Sequence, residues 1–251
     1  MASLSAAIAR SVALYRGDAA RRARLVRWYG RFLRPGDLAF DIGAHVGDRT
    51  EAFLALGARV VAVEPQPALA RFLRARFGRD PRLEVIEAAV GSTPGRIILM
   101  LNDDNPTVST ASLEFVAAAD SAPGWEGQAW TRRTSVRATV LRTLVARFGS
   151  PAFVKIDVEG FEAEALAGLE RAPAALSFEF TTISRAVARQ ALARLARLGY
   201  RRFNASLGES LRFAFPAPVD AARIRLWLDA LPEEANSGDI YAARTAWPLC
   251  R

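Results

Sequence analysis

Leu38-Ala39-Phe40-Asp41-Ile42-Gly43-Ala44-His45-Val46-Gly47 is the stretch on which the reading of the fold turns. A short apolar run carrying one carboxylate gives way to a turn with two glycines. Glycine there lets the backbone pass close to a ligand, and a helix start beyond it offers free amide donors. A helical pattern follows from about Asp48 to Leu56 and stops at Gly57. Arg59-Val60-Val61-Ala62-Val63 then reads as a buried strand closing on Glu64-Pro65. A second helix is predicted from about Pro67 to Phe77, and a third strand from Leu83 to Val90. Strands alternating with helices in this way predict an α/β fold, a doubly wound, mostly parallel sheet with helices on both faces.

The same alternation continues outward. Gly95–Leu101 reads as an additional strand, linked through Thr93-Pro94-Gly95. Residues 102–132 lose all periodicity and carry Asn102, Asp103, Asp104, Asn105, Pro106, Pro123, Gly124, Trp125, Gly127 and Trp130. A segment of that kind is expected to be a functional loop, here a substrate loop. The faces of its two tryptophans either stack on a sugar ring or planar substrate, or anchor the loop. Further strands are expected at Ser135–Val140, Phe153–Val158, Ala175–Phe180, Tyr200–Phe203 and Asp239–Ala243, with helices at Leu141–Phe148, Phe161–Leu169 and Arg185–Leu198. Upstream, Leu4, Ile8, Val12 and Tyr15 share one helical face, and Leu25, Trp28, Tyr29 and Phe32 share another after a break at Gly17-Asp18. Residues 1–36 are therefore expected to form two amphipathic helices packed on a main domain of residues 37–251.

The chain has 251 residues, 51% of them hydrophobic and 24% charged, with a formal charge of +8. That is too apolar for a disordered chain, and no run reaches the roughly 18 apolar residues of a membrane-spanning helix. Of 34 basic residues only Lys155 is a lysine. The arginines are scattered among alanines on helical faces, without the interleaved aromatics of a nucleic-acid groove, so nucleic acid is not the expected partner. The one cluster is N-terminal: Arg10, Arg16, Arg21, Arg22, Arg24, Arg27, Arg31 and Arg34 stand against a single acid, Asp18. A mitochondrial targeting segment shares this composition, and a membrane-surface or partner-binding role is the sharper alternative to simple docking. Cys250 is the only cysteine, so a reducing, cytoplasmic location is expected.

Two places carry chemistry. Glu64 closes the second strand 23 residues after Asp41, where an open parallel sheet faces the ribose hydroxyls of a bound nucleoside. The turn lacks the Gly-x-Gly-x-x-Gly dinucleotide pattern because position 45 is histidine. Two carboxylates suit a ligand with sugar hydroxyls and an amino group and would repel a pyrophosphate. S-adenosylmethionine has those groups and no phosphate. A turn serving only strand-to-helix packing is the alternative. The second place is Lys155-Ile156-Asp157-Val158-Glu159-Gly160-Phe161-Glu162. Charges alternating with apolar residues at a strand end are costly unless paired or facing a site, which marks Asp157 and Glu159 as site residues. Lys155 reads either as a site residue or as a salt-bridge partner, and Glu162 as a first-turn helix acid.

These segments, with Val63-Glu64-Pro65, Ala88-Ala89-Val90-Gly91 and the weaker Thr139-Val140-Leu141-Arg142-Thr143-Leu144, resemble the FkbM-type family of S-adenosylmethionine-dependent methyltransferases from about Asp37 to Phe180. The resemblance implies a seven-stranded class I methyltransferase fold, Rossmann-like, and O-methylation of a sugar or small-metabolite hydroxyl. It implies that Asp41, Gly43 and Gly47 hold the amino-acid end of the cofactor, with Ala44 and His45 on the same turn. Glu64, beside Pro65, would hold the ribose, and Glu87 and Ala88 the adenine. Asp157 would serve both the cofactor and the reaction. The family often has asparagine where His45 stands, and Ser177-Phe178-Glu179-Phe180 resembles its acidic strand end.

Asp157 or Glu159 is the expected general base, with Lys155 beside them; His45 is expected to contact the cofactor or helix end rather than to catalyse. Asp157, Glu159 and Glu179 could supply oxygen ligands to a metal, but no histidine cluster accompanies them, and no metal is expected. An RNA or DNA methyltransferase and a non-catalytic nucleoside-binding protein remain as alternatives. A nicotinamide-dependent oxidoreductase shares the fold class, but the missing middle glycine argues against it.

Overall fold

In the computed structural model, residues 6–244 and Trp247 are described; Leu4 and Cys250 lie outside the described residues. The chain begins with two helices, α1 (Ala6–Arg16) and α2 (Ala19–Tyr29). Between them the Asp18 side chain caps α2 by accepting from the Ala20 amide at 2.7 Å. Then come β1 (Leu38–Ile42), α3 (Asp48–Ala55), β2 (Arg59–Val63), α4 (Pro67–Phe77), β3 (Leu83–Ile86), β4 (Ala89–Val90) and β5 (Gly95–Leu101). Next are α5 (Leu113–Ala119), β6 (Arg132–Thr139), α6 (Leu141–Phe148), β7 (Phe153–Ile156), α7 (Glu162–Ala167) and β8 (Ala175–Thr181). The described chain closes with α8 (Arg185–Arg197), β9 (Arg202–Leu207), α9 (Ala221–Asp229) and β10 (Ser237–Ala243).

Among the described residues the main sheet has seven strands in the order β3-β2-β1-β7-β8-β10-β9. It is parallel from β3 to β8, and β10 enters antiparallel between β8 and β9. This is the class I methyltransferase arrangement. The order reverses between β1 and β7, which opens a crevice at the carboxyl ends of those two strands.

The two-residue period of the strands sorts the core into two layers. Phe40, Ile42, Val154, Ile156, Leu176, Phe178 and Ile240 point to one face and pack on Leu166, Ala188, Leu192 and Leu195 of α7 and α8. Ala39, Phe153 and Tyr241 point to the other, against Leu25, Trp28 and Tyr29 of α2 and Phe53 of α3. The Trp28 indole donates to the Tyr241 hydroxyl at 2.9 Å. On this second face the polar positions Asp41, Lys155, Ser177 and Asp239 are also buried. The first face is thus apolar across the central strands, with Glu84 on the edge strand β3 pairing with Arg147 of α6, and the other carries charge toward the strand ends, where the crevice lies.

One expectation needs correction. Leu83 to Val90 is not one strand: β3 belongs to the main sheet, while β4 pairs with β6 in a second, three-stranded sheet, β4-β6-β5. The chain leaves the first sheet at Glu87, whose side chain turns outward to Arg74. The segment 102–132, expected as a loop, carries local structure of its own, with its tryptophans as anchors. Ser112 caps α5 by accepting from the Phe115 amide at 3.1 Å, and the Phe115 and Trp125 rings meet edge to face at 5.2 Å. Trp130 donates from its indole to the Val108 carbonyl at 2.7 Å. These aromatic anchors build a small core from a sequence that lacks periodicity because each contact is irregularly spaced.

The α2 face yields a paired prediction. Phe53→Ala removes a fully buried ring and should cost about 3–5 kcal/mol of unfolding free energy. The buried Tyr29 hydroxyl has no hydrogen-bond partner, so Tyr29→Phe should be neutral or stabilising by up to about 1 kcal/mol. Urea titrations of the two variants check both signs.

Candidate functional site

The crevice is built from two turns that almost touch. Gly43 has φ +80°, and a β-carbon added there would sit 1.7 Å from the Asp157 carbonyl oxygen. Glycine is therefore required by both conformation and space. The Asp157 amide, in turn, donates to the Ile42 carbonyl at 2.9 Å. His45 adopts φ +49°, and its amide donates to Glu64 Oε2 at 2.8 Å, while the Gln66 amide donates to Glu64 Oε1 at 2.8 Å. Those two bonds aim the Glu64 carboxylate, which lines the crevice. Burial pushes its pKa up to about 7 against the opposing pull of the two amides. The imidazole of His45 is pushed the other way, down to about 4, by burial. It stays neutral near pH 7, packed edge to face on Tyr15 at 5.5 Å.

The crevice has two connected compartments. One, of about 540 Å³ including its mouth, is lined by Gly43, His45, Glu64, Pro65, Ala88, Asp157 and Glu159, with apolar walls from Val63, Leu99 and Phe161. The other is lined by Asp41, Gly43, Ala44, His45, Lys155, Asp157 and Glu159, with Arg49 and Thr107. Asp41 accepts from the Thr50 hydroxyl at 2.6 Å, and burial raises its pKa to about 6.

Lys155 is the electrostatic centre. Its ammonium lies 2.9 Å from Asp157 Oδ2 and 2.9 Å from Asp239 Oδ1. Burial would depress its pKa, but the carboxylates of Asp157 and Asp239 outweigh this and hold it well above the usual value. The salt-bridge reading of Lys155 is thus met in the geometry. Asp157 is held below the usual carboxylate range because Lys155 and Arg49 outweigh its burial. Glu159 differs: it is 8% exposed, and among the described residues its carboxylate makes no ion pair or hydrogen bond. Burial, then the charges of Asp157 and Glu162, push its pKa well up.

The turn that presents Glu159 is locally strained. Glu159 has φ +52° and Gly160 φ +81°, a sparsely populated pairing of the kind found at functional sites. It is held by the Thr110 hydroxyl, which donates to the Glu159 carbonyl at 2.5 Å. Glu162 closes the turn from below, accepting from the Val158 and Gly160 amides at 3.1 and 3.3 Å. A β-carbon on Gly160 would meet Phe115 at 2.6 Å, so α5 and this turn fit each other.

Two residues named from the sequence do not reach the crevice. Gly47, with φ +78°, precedes α3 and faces Leu73 and Phe77, where a β-carbon would clash at 2.7 and 2.9 Å. Its role is helix packing. Glu87 pairs with Arg74 at 2.9 Å on the surface and does not line the cavity, whereas Ala88 beside it does. Conversely, Tyr15, Arg49, Thr107, Leu99, Phe161 and Asp239 were not singled out. Only Asp239 carries a local signal, a carboxylate leading an otherwise apolar strand. Tyr15 and Thr107 arrive by tertiary packing alone.

A family model described as a methyltransferase FkbM domain matches residues 41–202. No curated protein matches the sequence. Solved structures similar to this one include a TehB-like SAM-dependent methyltransferase from Corynebacterium glutamicum, 12% identical, covering 94% of each chain with a TM-score of 0.47. Another is a precorrin-6y C5,15-methyltransferase from Geobacter metallireducens, 15% identical, covering 90% of this chain and 87% of that one with a TM-score of 0.42.

Lys155→Met leaves Asp157 and Asp239 buried without their shared cation and should cost about 3–5 kcal/mol of stability. Lys155→Arg keeps the charge but forces a planar fork into a space shaped for an ammonium, and should still cost about 1–3 kcal/mol. Chemical denaturation of both variants reads these losses; wild-type stability in Lys155→Arg would show that the pocket does not discriminate the cation's shape.

Proposed function

The chain belongs to the methyltransferase FkbM domain family, and from that premise we propose that it methylates a hydroxyl oxygen of a sugar or small metabolite, with Glu159 as the proton acceptor. It is an S-adenosylmethionine-dependent methyltransferase. The residues present fit that cofactor. Gly43 leaves a cradle that a β-carbon would fill, and Glu64 presents a buried carboxylate at a slot walled by Val63, Leu99 and Phe161. Glu64 is suited to accept from ribose hydroxyls, Ala88 and Pro65 to border the base, and Asp41, Ala44 and His45 to border the amino-acid end. The bound cofactor supplies a methyl group on a sulfonium. The chain's task is then to align the acceptor oxygen and take its proton.

The observation that carries this reading is the placement of Glu159. Its buried, unpartnered side chain lines both cofactor compartments and also a larger cavity of about 1150 Å³ including its mouth, framed by α1, Asn105 to Val108, Trp125 and the ends of β8 and β10. It therefore stands between the cofactor site and a place for an acceptor. Asp157 is less suited as base because Lys155 already occupies one of its oxygens and lowers its basicity. Glu159, in its ionised form, would accept the hydroxyl proton as the acceptor oxygen takes the methyl carbon and the carbon–sulfur bond breaks to leave the neutral thioether. Thr110 and Glu162 hold the turn that presents that carboxylate, and Lys155 fixes the neighbouring Asp157.

Glu159→Gln should lower turnover about 10²–10⁴-fold while the affinity for S-adenosylhomocysteine stays within about threefold, measured calorimetrically beside the release of S-adenosylhomocysteine with a screened hydroxyl acceptor. Full turnover in that variant would remove Glu159 from the role.

Glu64 generates a pH prediction. With its pKa near 7 in the free protein, the carboxylate is largely protonated at pH 6 and ionised at pH 8. Ribose hydroxyls donate to the ionised form, so cofactor binding releases a proton at low pH. Affinity should rise with pH from 6 to 8, approaching tenfold per unit on the acid side. Glu64→Gln should bind more weakly and flatten the profile.

A further inference from the structure

The amino-acid end of S-adenosylmethionine carries both an ammonium and a carboxylate, and the compartment bordered by Asp41, Ala44 and His45 answers the two unequally. Asp41, Asp48, Asp157, Glu159, Glu179 and Glu209 all line it, so an ammonium has partners in plenty. A carboxylate would be repelled by such walls unless a cation met it. Among the described residues only Lys155 and Arg49 bring a positive charge to that lining. Lys155 is spent, because its ammonium is shared between Asp157 and Asp239 and its side chain is 2% exposed. Arg49 remains.

Arg49 stands in the first turn of α3. Its guanidinium holds Asp48 through Nη1 and Glu209 through Nη2, and its charge is felt by Asp157 and Asp41 in the same compartment. The two partners differ in how firmly they are placed. Asp48 is buried and is also held by Arg21 at 2.8 Å. Glu209 lies on an exposed turn after β9, and its side chain is 44% exposed against 12% for Arg49. A carboxylate that water reaches leaves an ion pair at far lower cost than a buried one. Glu209 also keeps a second cation, Arg21 at 3.2 Å. A carboxylate of the chain is thus already seated, replaceably, on a planar fork whose shape suits carboxylate oxygens.

We propose that Arg49 binds the carboxylate of the cofactor's amino-acid end, and that Glu209 occupies this place until the cofactor arrives. The proposal rests on the reading of this compartment as the seat of the amino-acid end, and names the residue that tells the cofactor from nucleosides without a carboxylate. Arrival exchanges one carboxylate for another on the same guanidinium. No buried charge is stranded by the exchange, since Arg49 retains Asp48 and Glu209 retains Arg21. Because Glu209 also lines the large cavity, the exchange carries the arrival of the cofactor to a wall of the acceptor space.

The test is calorimetric titration of the full chain with three ligands: S-adenosylhomocysteine, its decarboxylated analogue, which keeps the amine, and 5′-methylthioadenosine, which has neither group. The wild-type chain should bind S-adenosylhomocysteine about 10–100-fold more tightly than the decarboxylated analogue, the range of a hydrogen bond to a charged group. Arg49→Met should abolish or invert that preference through loss of S-adenosylhomocysteine affinity, and leave 5′-methylthioadenosine within about twofold. Arg21→Met is the structural control. It takes a cation from the same two acids but stands outside the compartment's lining, so the preference should persist. Glu209→Gln should tighten S-adenosylhomocysteine by about two- to fivefold, the scale of a part-exposed ion pair, and leave 5′-methylthioadenosine unchanged. If Arg49→Met loses 5′-methylthioadenosine as well, its double variant with Glu209→Gln, which leaves no unanswered carboxylate at position 209, takes its place under the same criterion. A wild-type chain indifferent to the carboxylate, or an Arg49→Met variant that keeps the wild-type preference, overturns the proposal. Unchanged S-adenosylhomocysteine affinity in Glu209→Gln overturns its second half. The reading of the cofactor seat fails differently, by absence of 5′-methylthioadenosine binding to the wild-type chain, and takes the proposal with it; the proton-acceptor reading is decided separately by the turnover of Glu159→Gln.

Discussion

The buried ammonium of Lys155 is the interaction on which the rest of the site depends. A lone charge in the middle of a parallel sheet would be prohibitive, and two carboxylates without it would repel each other. Lys155 lies on β7, Asp157 on the turn that follows, and Asp239 on the antiparallel strand β10. The pair of contacts therefore ties the centre of the sheet to the strand inserted at its far side. It also sets where Asp157 sits, and the Asp157 carbonyl is the atom that Gly43 must avoid. One ion triad thus sets the spacing between the two turns that frame the crevice.

A second layer of charge locks the first turn from outside. Arg16, in α1, donates to the carbonyls of Val46 and Gly47 at 3.3 and 3.1 Å and pairs with Glu51 at 3.0 Å. Arg21, in α2, pairs with Asp48 at 2.8 Å and Glu209 at 3.2 Å. Asp48 is held ionised because Arg49 and Arg21 outweigh its burial. Two arginines of the N-terminal basic cluster are consumed in this way. They act as clamps on the glycine turn, and α1 contributes Tyr15 to the crevice and a wall to the large cavity.

Much of the sheet was legible because parallel strands are buried on both faces and betray themselves as apolar runs between helical patterns. Asp41, Glu64, Asp157 and Glu159 were legible for a related reason: a carboxylate closing such a run conflicts with burial unless a site explains it. What escaped was whatever depends on contacts between distant segments. The break at Glu87 that sends β4 into the second sheet has no sequence marker stronger than one exposed acid. The small core around Phe115 and Trp125 has no period to detect. Gly47 and Gly43 look alike in sequence, and only the atoms opposite them, α4 in one case and the Asp157 backbone in the other, separate packing from ligand approach.

The net charge of the whole chain does not carry over to the lining of the large cavity. A formal charge of +8 invites a polyanionic partner, and electrostatic attraction to phosphates is strong when basic groups are free to face them. Here several of the arginines nearest the crevice are spent on internal acids. The large cavity is lined by Asp104, Glu159, Glu179 and Glu209, with Arg10 as its one arginine, and Arg10 donates to the Asp104 backbone carbonyl at 2.9 Å. A phosphate carried to that lining would meet the carboxyl groups of Glu159 and Glu179 and no free arginine cluster. Burial and neighbouring acids push Glu159 and Glu179 toward their neutral forms, so the lining presents carboxyl groups rather than cations. The net charge therefore describes the outer surface, whereas the lining of the large cavity is set by a few acids, among them Glu159 and Glu179, which pair with no arginine among the described residues.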